Sequence, residues 1–275
     1  MKVSFLRTLV ACAVLAAPIA QAQVVSPATL TIADNTVQAK IDLGQSIAVD
    51  VTLEFDNTVG LNANTVDITA ELLSPASLAI QNRLPTSLIS APAAFPVMVS
   101  IEPKTDKGFA FEGVATVELY TKNLHYVAGT PLRLFRSHAD GTFEDITQLT
   151  SSGSFRARGN TGSFSDFIIM ADTRPQNEVL ATKYALLDDL VSNNRSRIDS
   201  VVLTALDSGL NSLYSALQAS DYTAASTAVD TLITTTETAS GAQMDDVWRS
   251  SDDIVNVKGE LLTRLYTLRY SLRTL

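Results

Sequence analysis

Residues suited to proton transfer are few in this sequence. Histidine occurs only at His125 and His138. His138, with Asp140 or Asp145, has the residue types of a Ser-His-Asp arrangement, in which histidine moves a proton and a carboxylate orients it. No Gly-x-Ser-x-Gly turn accompanies these residues. We therefore interpret His138 as a solvated residue at the tip of a hairpin, and we predict no catalytic residue.

Metal-binding and phosphate-binding patterns are missing from the sequence. It has no His-Glu-x-x-His, no Cys/His spacing, no Asp-x-Asp-x-Asp-Gly calcium loop and no glycine-rich phosphate loop. Adjacent acidic residues point about 100° apart on a helix, so the acidic pairs do not form chelating sites by themselves. An adventitious calcium site is the alternative for the loop carboxylates Asp140, Glu144 and Asp145. We predict no cofactor and no metal.

A basic cluster stands out in the acidic chain, formed by Arg133, Arg136, Arg156 and Arg158. It is either a contact surface for an acidic partner or glycan, or a solvated sheet face opposite the acidic remainder. Three aromatic residues offer a similar choice between a carbohydrate-binding face and ordinary strand packing: Tyr120, Tyr126 and Phe143.

Composition narrows the possible partners. The net charge is −9 and the sequence pI about 4.7, so we predict no binding to nucleic acid, whose phosphates an acidic chain repels. Cys12 is the only cysteine, which excludes disulfides and thiolate chemistry downstream of it. No apolar segment after the N-terminal one approaches the ~20 residues of a membrane span.

The N-terminus has the pattern of a cleavable secretory signal. Lys2 and Arg7 precede an apolar run from Leu9 to Ile19, and Ala20-Gln21-Ala22 provides small residues at the cleavage site. We predict a signal peptide over residues 1–22, with cleavage between Ala22 and Gln23, and a periplasmic or secreted product. Lipidation of Cys12 is the rival interpretation, but the apolar run continues beyond that cysteine.

The chain downstream of the signal changes character near residue 175. Several stretches before it alternate apolar and polar residues with a period of two, which is typical of half-buried strands: residues 37–43, 47–55, 66–72 and 95–101. The segment 131–147, with Ala139-Asp140-Gly141 at its centre, predicts a hairpin in which Gly141 supplies a positive φ. We predict an α+β protein, with an antiparallel immunoglobulin-like β-sandwich over 23–172 and an α-helical bundle over 173–275.

Apolar residues in the C-terminal part follow helical spacing. The stretch 179–217 is either one long helix or two helices broken near Asn193-Asn194. A helix is predicted over about 221–240, with Ser220 or Asp221 as its N-cap. The final helix is expected to begin near residue 245, because apolar residues recur every seven positions from Val247. Gly259 within it indicates a close approach to another helix.

Short motifs in this part resemble those of known bacterial proteins. Residues 217–225 (LQASDYTAA) resemble the helical hairpin of bacterial surface proteins, and 141–147 with 164–167 resemble the end of their sandwich domains. Residues 247–250 (VWRS), 256–257 and 267–272 (TLRYSL) resemble an uncharacterised exported bacterial family, a domain of unknown function. That resemblance implies a bacterial exported protein and supplies no catalytic residues.

These observations support three hypotheses about function. The first is an exported, non-enzymatic binding or adhesion module that contacts a protein or glycan. The second is a periplasmic structural or accessory factor that docks on an envelope complex by one face of its helices. The third is a hydrolase whose carboxylates are dispersed in the sequence.

Overall fold

A computed structural model describes residues 23–275. The predicted signal peptide, with Cys12 and Ala22, lies outside the described residues. The strands, in chain order, are β1 (Val24–Val25), β2 (Thr29–Ala33), β3 (Thr36–Asp42), β4 (Ala48–Val59), β5 (Val66–Leu72), β6 (Ile89–Ser90), β7 (Val97–Pro103), β8 (Ala110–Thr121), β9 (Leu132–Ser137), β10 (Glu144–Asp145), β11 (Thr147–Ser151), β12 (Phe155–Thr161), β13 (Asp166–Asp172) and β14 (Val247–Arg249). The helices are α1 (Leu78–Gln81), α2 (Gln176–Asn193), α3 (Ser200–Gln218), α4 (Tyr222–Thr238) and α5 (Val257–Arg273), with a 3-10 turn at Arg195–Arg197.

The first sheet has seven antiparallel strands in the order β1-β5-β7-β13-β9-β10, and β6 pairs with β13 beyond the end of β7. Its central strand β13 is apolar on both faces. Phe167 and Ile169 pack in one core, while Ile168 and Met170 pack in another. Because both faces are covered, this strand is a continuous apolar run in the sequence.

The second sheet also has seven antiparallel strands, in the order β11-β12-β8-β4-β3-β2, with β14 paired to β8. Strand β8 is central. It pairs along one edge with β4, and along the other edge first with β14 and then with β12. A strand from the C-terminal part of the chain therefore completes a sheet built from the N-terminal part.

One hydrophobic core receives side chains from both sheets. An aromatic cluster fills one end of it, with neighbouring ring centroids 5.4–6.4 Å apart. Its members are Phe55, Phe109, Phe111, Phe164 and Trp248. Since Trp248 lies on β14, the C-terminal part also completes this core.

The helices form a separate apolar core. The predicted break near Asn193-Asn194 is confirmed, and α2 and α3 are two helices. The N-cap of α4 is Asp221, whose carboxylate accepts a hydrogen bond from the backbone N–H of Ala224 at 2.9 Å. The last helix, α5, contacts α2, α4 and the strands β8, β11 and β12.

The predicted immunoglobulin-like β-sandwich followed by a bundle is wrong, although the α+β class is correct. Two seven-stranded antiparallel sheets are present within residues 23–275, and one strand comes from beyond residue 173. Period-two patterning identifies strands and their buried faces. It does not specify which strands pair, and pairing decides the layout.

The prediction that the final helix begins near residue 245 is also wrong. Val247–Arg249 is strand β14, and α5 begins after its N-cap Asn256. Gly259 does mark a close approach, but to a strand rather than to a helix. A Cβ at this position would overlap the backbone oxygen of Gly113 on β8.

The hairpin after β9 forms as expected, but the residues with positive φ in its turn are not the predicted one. Positive φ values occur at Ala139 (46°) and Asp140 (59°), and not at Gly141. The prediction that Gly141 supplies this conformation is therefore wrong. Gly141 is instead crowded, because a Cβ there would lie 3.0 Å from the backbone oxygen of His138.

Candidate functional site

A polar cleft of about 570 Å³ lies between the second sheet and the helices α4 and α5. Its volume falls within the range of about 300–1,000 Å³ that is usual for small-ligand sites. Strands β4, β8, β11 and β12 contribute the sheet wall, and α4, α5 and the segment before β14 contribute the other. The lining residues are Asp56, Asn57, Glu112, Gly113, Val114, Thr116, Gln148, Asn160, Glu237, Asp246, Lys258, Leu262, Tyr266 and Arg269.

The sheet wall contains a local irregularity in strand pairing. The register of β4 with β8 shifts between Phe55 and Asn57, beside Asp56. Bulges of this kind re-aim side chains and are common next to functional sites. The amide Nδ2 of Asn57 donates to Glu112 Oε2 at 3.0 Å. This bond orients one of the cleft carboxylates.

Four side chains of α5 form the helical wall of the cleft. They are four, four and three positions apart, which places them on one side of the helix: Lys258, Leu262, Tyr266 and Arg269. Lys258 Nζ donates to the carbonyl of Ala239 at 2.6 Å and so satisfies a backbone acceptor at the end of α4. The Tyr266 hydroxyl donates to Glu237. Burial and the neighbouring Glu237 raise the pKa of Tyr266, so its phenol stays neutral.

Several polar groups in the cleft have no partner in the part of the chain that the structure describes. Four carboxylates (Asp56, Glu112, Glu237, Asp246) face two cations (Lys258, Arg269). Within residues 23–275, Asp56 and Asp246 form no salt bridge. Asn160 is only 4% exposed, and its Oδ1 accepts from Thr116 at 3.3 Å. Its Nδ2 has no hydrogen-bond partner among the described residues and is not one of the atoms buried without a partner, so this donor is open to the cleft.

The cleft therefore offers acceptors and donors at the same place. Carboxylates accept hydrogen bonds, the Asn160 amide and Lys258 donate them, and the Tyr266 hydroxyl does both. A ligand hydroxyl can also donate and accept. The arrangement is suited to binding a hydroxyl-rich ligand, and its excess of carboxylates disfavours an anionic one.

A buried ionic network lies where α5 meets the sheets. Glu260 accepts two hydrogen bonds from Arg136 on β9, at 2.7 and 2.9 Å, and one each from Arg264 and Ser163. Burial acts to raise the pKa of Glu260. The charges and hydrogen bonds of Arg136, Arg264 and Ser163 outweigh burial and hold that pKa far below its ordinary range. Glu260 is therefore ionised and fixes α5 against the first sheet.

A second buried ion pair attaches α2. Lys183 Nζ lies 2.6 Å from Asp145 Oδ2 on β10, and it also donates to the hydroxyls of Thr267 and Ser271 on α5. Burial acts to raise the pKa of Asp145, but Lys183 and the hydrogen bonds from Lys183 and Thr147 lower it more, and the carboxylate stays ionised. Removing one partner of such a pair leaves the other charge buried and uncompensated.

The predicted basic cluster is divided by the fold. Arg136 is 4% exposed and belongs to the buried network with Glu260. Arg133 is half-buried, and its guanidinium lies 5.2 Å from the centre of the Tyr270 ring. The two arginines are three positions apart on β9, and strand geometry therefore sends them to opposite faces.

The other two predicted arginines remain together on β12. Arg156 and Arg158 are two positions apart, so they share a face, and both pair with Glu118 on β8 at 2.5 and 2.9 Å. Arg156 also lies over the Tyr120 ring, 4.4 Å from its centre. Because the single carboxylate of Glu118 balances only one of the two guanidinium charges, a small, half-exposed basic patch remains.

The histidine and loop carboxylates are not assembled into a site. His138 Nδ1 lies 3.0 Å from the carbonyl of Phe164. The carboxylates that sequence reasoning considered for a triad or calcium are paired with cations: Asp140 with Arg83, Glu144 with Arg264, and Asp145 with Lys183. Residues 23–275 contain no group of three or more metal-ligating side chains that could hold an ion.

The aromatic residues considered for a carbohydrate-binding face are dispersed. Phe143 is buried beneath the Arg83 guanidinium, which lies 4.5 Å from its ring centre. Tyr120 is covered by Arg156, and Tyr126 packs against the core shared by the sheets. The cleft residues were missed because the apolar side of α5 dominates its sequence pattern. The polar stripe at positions 258, 266 and 269 was the available signal.

The described chain is thus an α+β protein in which a helix packed on a sheet forms one wall of a polar cleft. It belongs to a family of unknown function, DUF6689, whose model matches residues 10–275. This match confirms the resemblance to an uncharacterised family. No curated protein and no solved structure matches the chain. Among the helices of residues 23–275, none has the length and apolar character needed to cross a membrane.

Proposed function

We propose that this protein is an exported binding protein and that the cleft between the second sheet and α5 binds a neutral or amino-bearing glycan. The observation that carries the proposal is the convergence of groups that have no partner within residues 23–275: the carboxylates of Asp56 and Asp246 and the Nδ2 of Asn160. Sugar hydroxyls both donate and accept, so they can satisfy all three. A glycan is favoured over a protein partner because the groups line a concave site.

The test is binding of the purified protein to an array of neutral, amino-bearing and acidic oligosaccharides, followed by calorimetry on the positive glycans. We expect Asp56→Asn and Asn160→Ala each to weaken binding by about tenfold, which corresponds to about 1.4 kcal/mol. Acidic glycans are expected to bind less well. Asp189→Asn is the matched control, since its exposed carboxylate lies on α2 outside the cleft.

Glycan binding that survives both cleft substitutions, or its absence from the whole array, would refute the proposal. Release of shorter oligosaccharides during incubation would instead support the hydrolase hypothesis. In that case the dispersed carboxylates of the cleft become candidate acid and base.

The proposal that the protein is exported is tested separately. Cells that express the full chain are fractionated, and the N-terminus of the product is determined by mass spectrometry. We expect the chain to begin at Gln23 and to occur in the periplasm or medium. An unprocessed N-terminus or a lipidated Cys12 would overturn this part of the proposal.

The second candidate function is a periplasmic accessory factor that docks through its helices. Exposed aromatic surface on the bundle favours it, since Tyr214 is 49% and Tyr222 36% exposed. Exposed apolar patches on a protein surface mark interaction sites when they are contiguous.

A further inference from the structure

A second concavity, separate from the cleft, lies among the helices α2, α3 and α4. Its volume is about 370 Å³. We call it the tyrosine groove, and it is lined by Asn177, Leu180, Ala181, Tyr184, Tyr214, Leu217, Gln218, Ser220 and Tyr222. Neither the polar cleft nor the buried ionic networks share a residue with it.

The three tyrosine hydroxyls of the groove have no polar partner within residues 23–275. The hydroxyls of Tyr184, Tyr214 and Tyr222 make no hydrogen bond with any residue of the described chain. The side-chain amides of Asn177 and Gln218 likewise have none there. Phenols and amides can therefore donate to a ligand without breaking an internal contact.

The lining of the groove carries no formal charge, although the whole chain has a net charge of −9. The half-buried Leu217 and the buried Leu180 are the leucines of its lining. A charged ligand would lose hydration here and find no counter-charge among the lining residues; Asp188, which acts on Tyr184, lies outside them. The occupant that fits is uncharged, with apolar faces and hydrogen-bond acceptors.

Proteins bind peptides as helices, as added strands or as polyproline II segments, and only the last of these fits the groove. A bound helix has satisfied its own backbone groups and cannot use the phenols. Strand addition needs a sheet edge, which a groove between helices does not offer. A polyproline II segment has no internal hydrogen bonds, so its carbonyls are free to accept, and aromatic-lined grooves are its usual receptors.

The ring arrangement also favours a peptide over a sugar. The Tyr184 and Tyr214 rings are 5.4 Å apart and inclined by 41°. Inclined rings form a ridged surface rather than a flat one. The apolar face of a pyranose stacks best on a single exposed ring plane. A polyproline II helix has three residues per turn, so prolines three positions apart lie on the same side and present ridges.

We infer that the tyrosine groove binds an extended, uncharged, proline-rich segment of another protein. The inference does not rest on glycan binding, because the two sites share no residue. In this arrangement the tyrosine rings pack on the prolines, and the phenols with Asn177 and Gln218 donate to backbone carbonyls.

The probe is a fluorescein-labelled decaproline peptide, and a Gly-Ser peptide of equal length is the control ligand. Binding to the purified protein is measured by fluorescence anisotropy. We expect saturable binding of decaproline alone, at least tenfold weaker binding for Tyr214→Ala, and a few-fold loss for Tyr214→Phe, which removes only the hydroxyl. Val201→Ala should bind normally, because Val201 is exposed on α3 outside the groove.

Tyr214→Ala removes an exposed side chain, and circular dichroism will verify that the variant is folded. Equal binding of both peptides, or decaproline binding unchanged in Tyr214→Ala and Tyr222→Ala, would overturn the inference. So would no binding of decaproline at millimolar concentration. Displacement of bound decaproline by a neutral oligosaccharide, with stronger tyrosine dependence for the sugar, would assign the groove to glycans instead.

Discussion

At the scale of single residues, buried charges join parts of the chain that are far apart in sequence. Arg136 and Glu260 are separated by 124 positions and form a bidentate pair. Such pairs contribute little net stability relative to apolar packing, but they penalise arrangements that separate the partners. The Arg136–Glu260 pair therefore acts mainly to specify the position of α5 on the sheets.

Glu260→Gln tests this view through pH dependence. The pKa of Glu260 is lower in the folded protein than in the unfolded chain, so unfolding takes up a proton at acid pH. Its stabilising contribution is complete above the unfolded pKa of about 4.3 and is lost as pH falls below that value. We expect Glu260→Gln to lower the free energy of unfolding by about 3–5 kcal/mol at pH 7 and to flatten the acid decline.

Urea denaturation at pH 7, 5, 4 and 3 measures both effects. Glu54→Gln is the control, because Glu54 is exposed on β4 and forms no salt bridge with a described residue. A Glu260→Gln curve parallel to the wild-type curve at every pH would show that Glu260 does not have a depressed pKa.

At the scale of elements, the start of α5 is fixed by its contact with the second sheet. The N-cap Asn256 accepts from the N–H of Gly259 at 2.8 Å, and its Nδ2 donates to the carbonyl of Gly113 at 2.6 Å. One side chain thus caps the helix and ties it to β8. The absence of a side chain at Gly259 is what permits this approach.

Gly259→Ala should destabilise the protein by about 1–3 kcal/mol, because the added Cβ meets the backbone oxygen of Gly113, which cannot move freely. Gly209→Ala is the matched control in α3. Its Cβ would meet a side chain rather than backbone, with Cδ2 and Cγ of the buried Leu232 at 2.6 and 2.9 Å, and a side chain can adjust more than a strand backbone can. Helix propensity favours alanine by about 1 kcal/mol at both sites.

Urea midpoints for the two variants give the comparison. Gly259→Ala is expected to shift the midpoint down clearly more than Gly209→Ala. Equal shifts would mean that the contact between Gly259 and Gly113 does not limit packing of α5 on the sheet.

At the scale of the whole molecule, the N-terminal and C-terminal parts complete one another. Strand β14 covers the edge of β8 and brings Trp248 into the aromatic cluster. The buried Arg136 and Asp145 find their counter-charges on α5 and α2. The sheets therefore depend on residues that lie after position 173.

A fragment of residues 23–172 is expected to lack cooperative unfolding and to bind a hydrophobic dye. It leaves an open strand edge and an incomplete aromatic core, and it deprives the buried Arg136 and Asp145 of their partners on α5 and α2. Thermal unfolding followed by circular dichroism, compared with residues 23–275, makes the measurement. A fragment that unfolds in one sharp transition and excludes the dye would show that the N-terminal part is an independent domain.

The sequence by itself determined the local structure. Alternation in β3, β4, β5 and β7 gave strands and their buried faces, because a side chain on every second position faces the core. Spacings of three and four gave α2, α3 and α4, and Asp221 gave the start of α4, since capping and periodicity are properties of neighbouring residues. Membership of an uncharacterised family also followed from short motifs.

Only the tertiary structure decided the layout and the candidate sites. The segment Val247–Arg249 has helix-like apolar spacing but pairs as β14, because the open edge of β8 and the aromatic core give it partners. Arg133 and Arg136 separate from each other and from the pair on β12, because strand faces and distant acidic partners sort them. The cleft and the tyrosine groove each combine residues from several elements, and pairing between distant segments depends on contacts that no local pattern records.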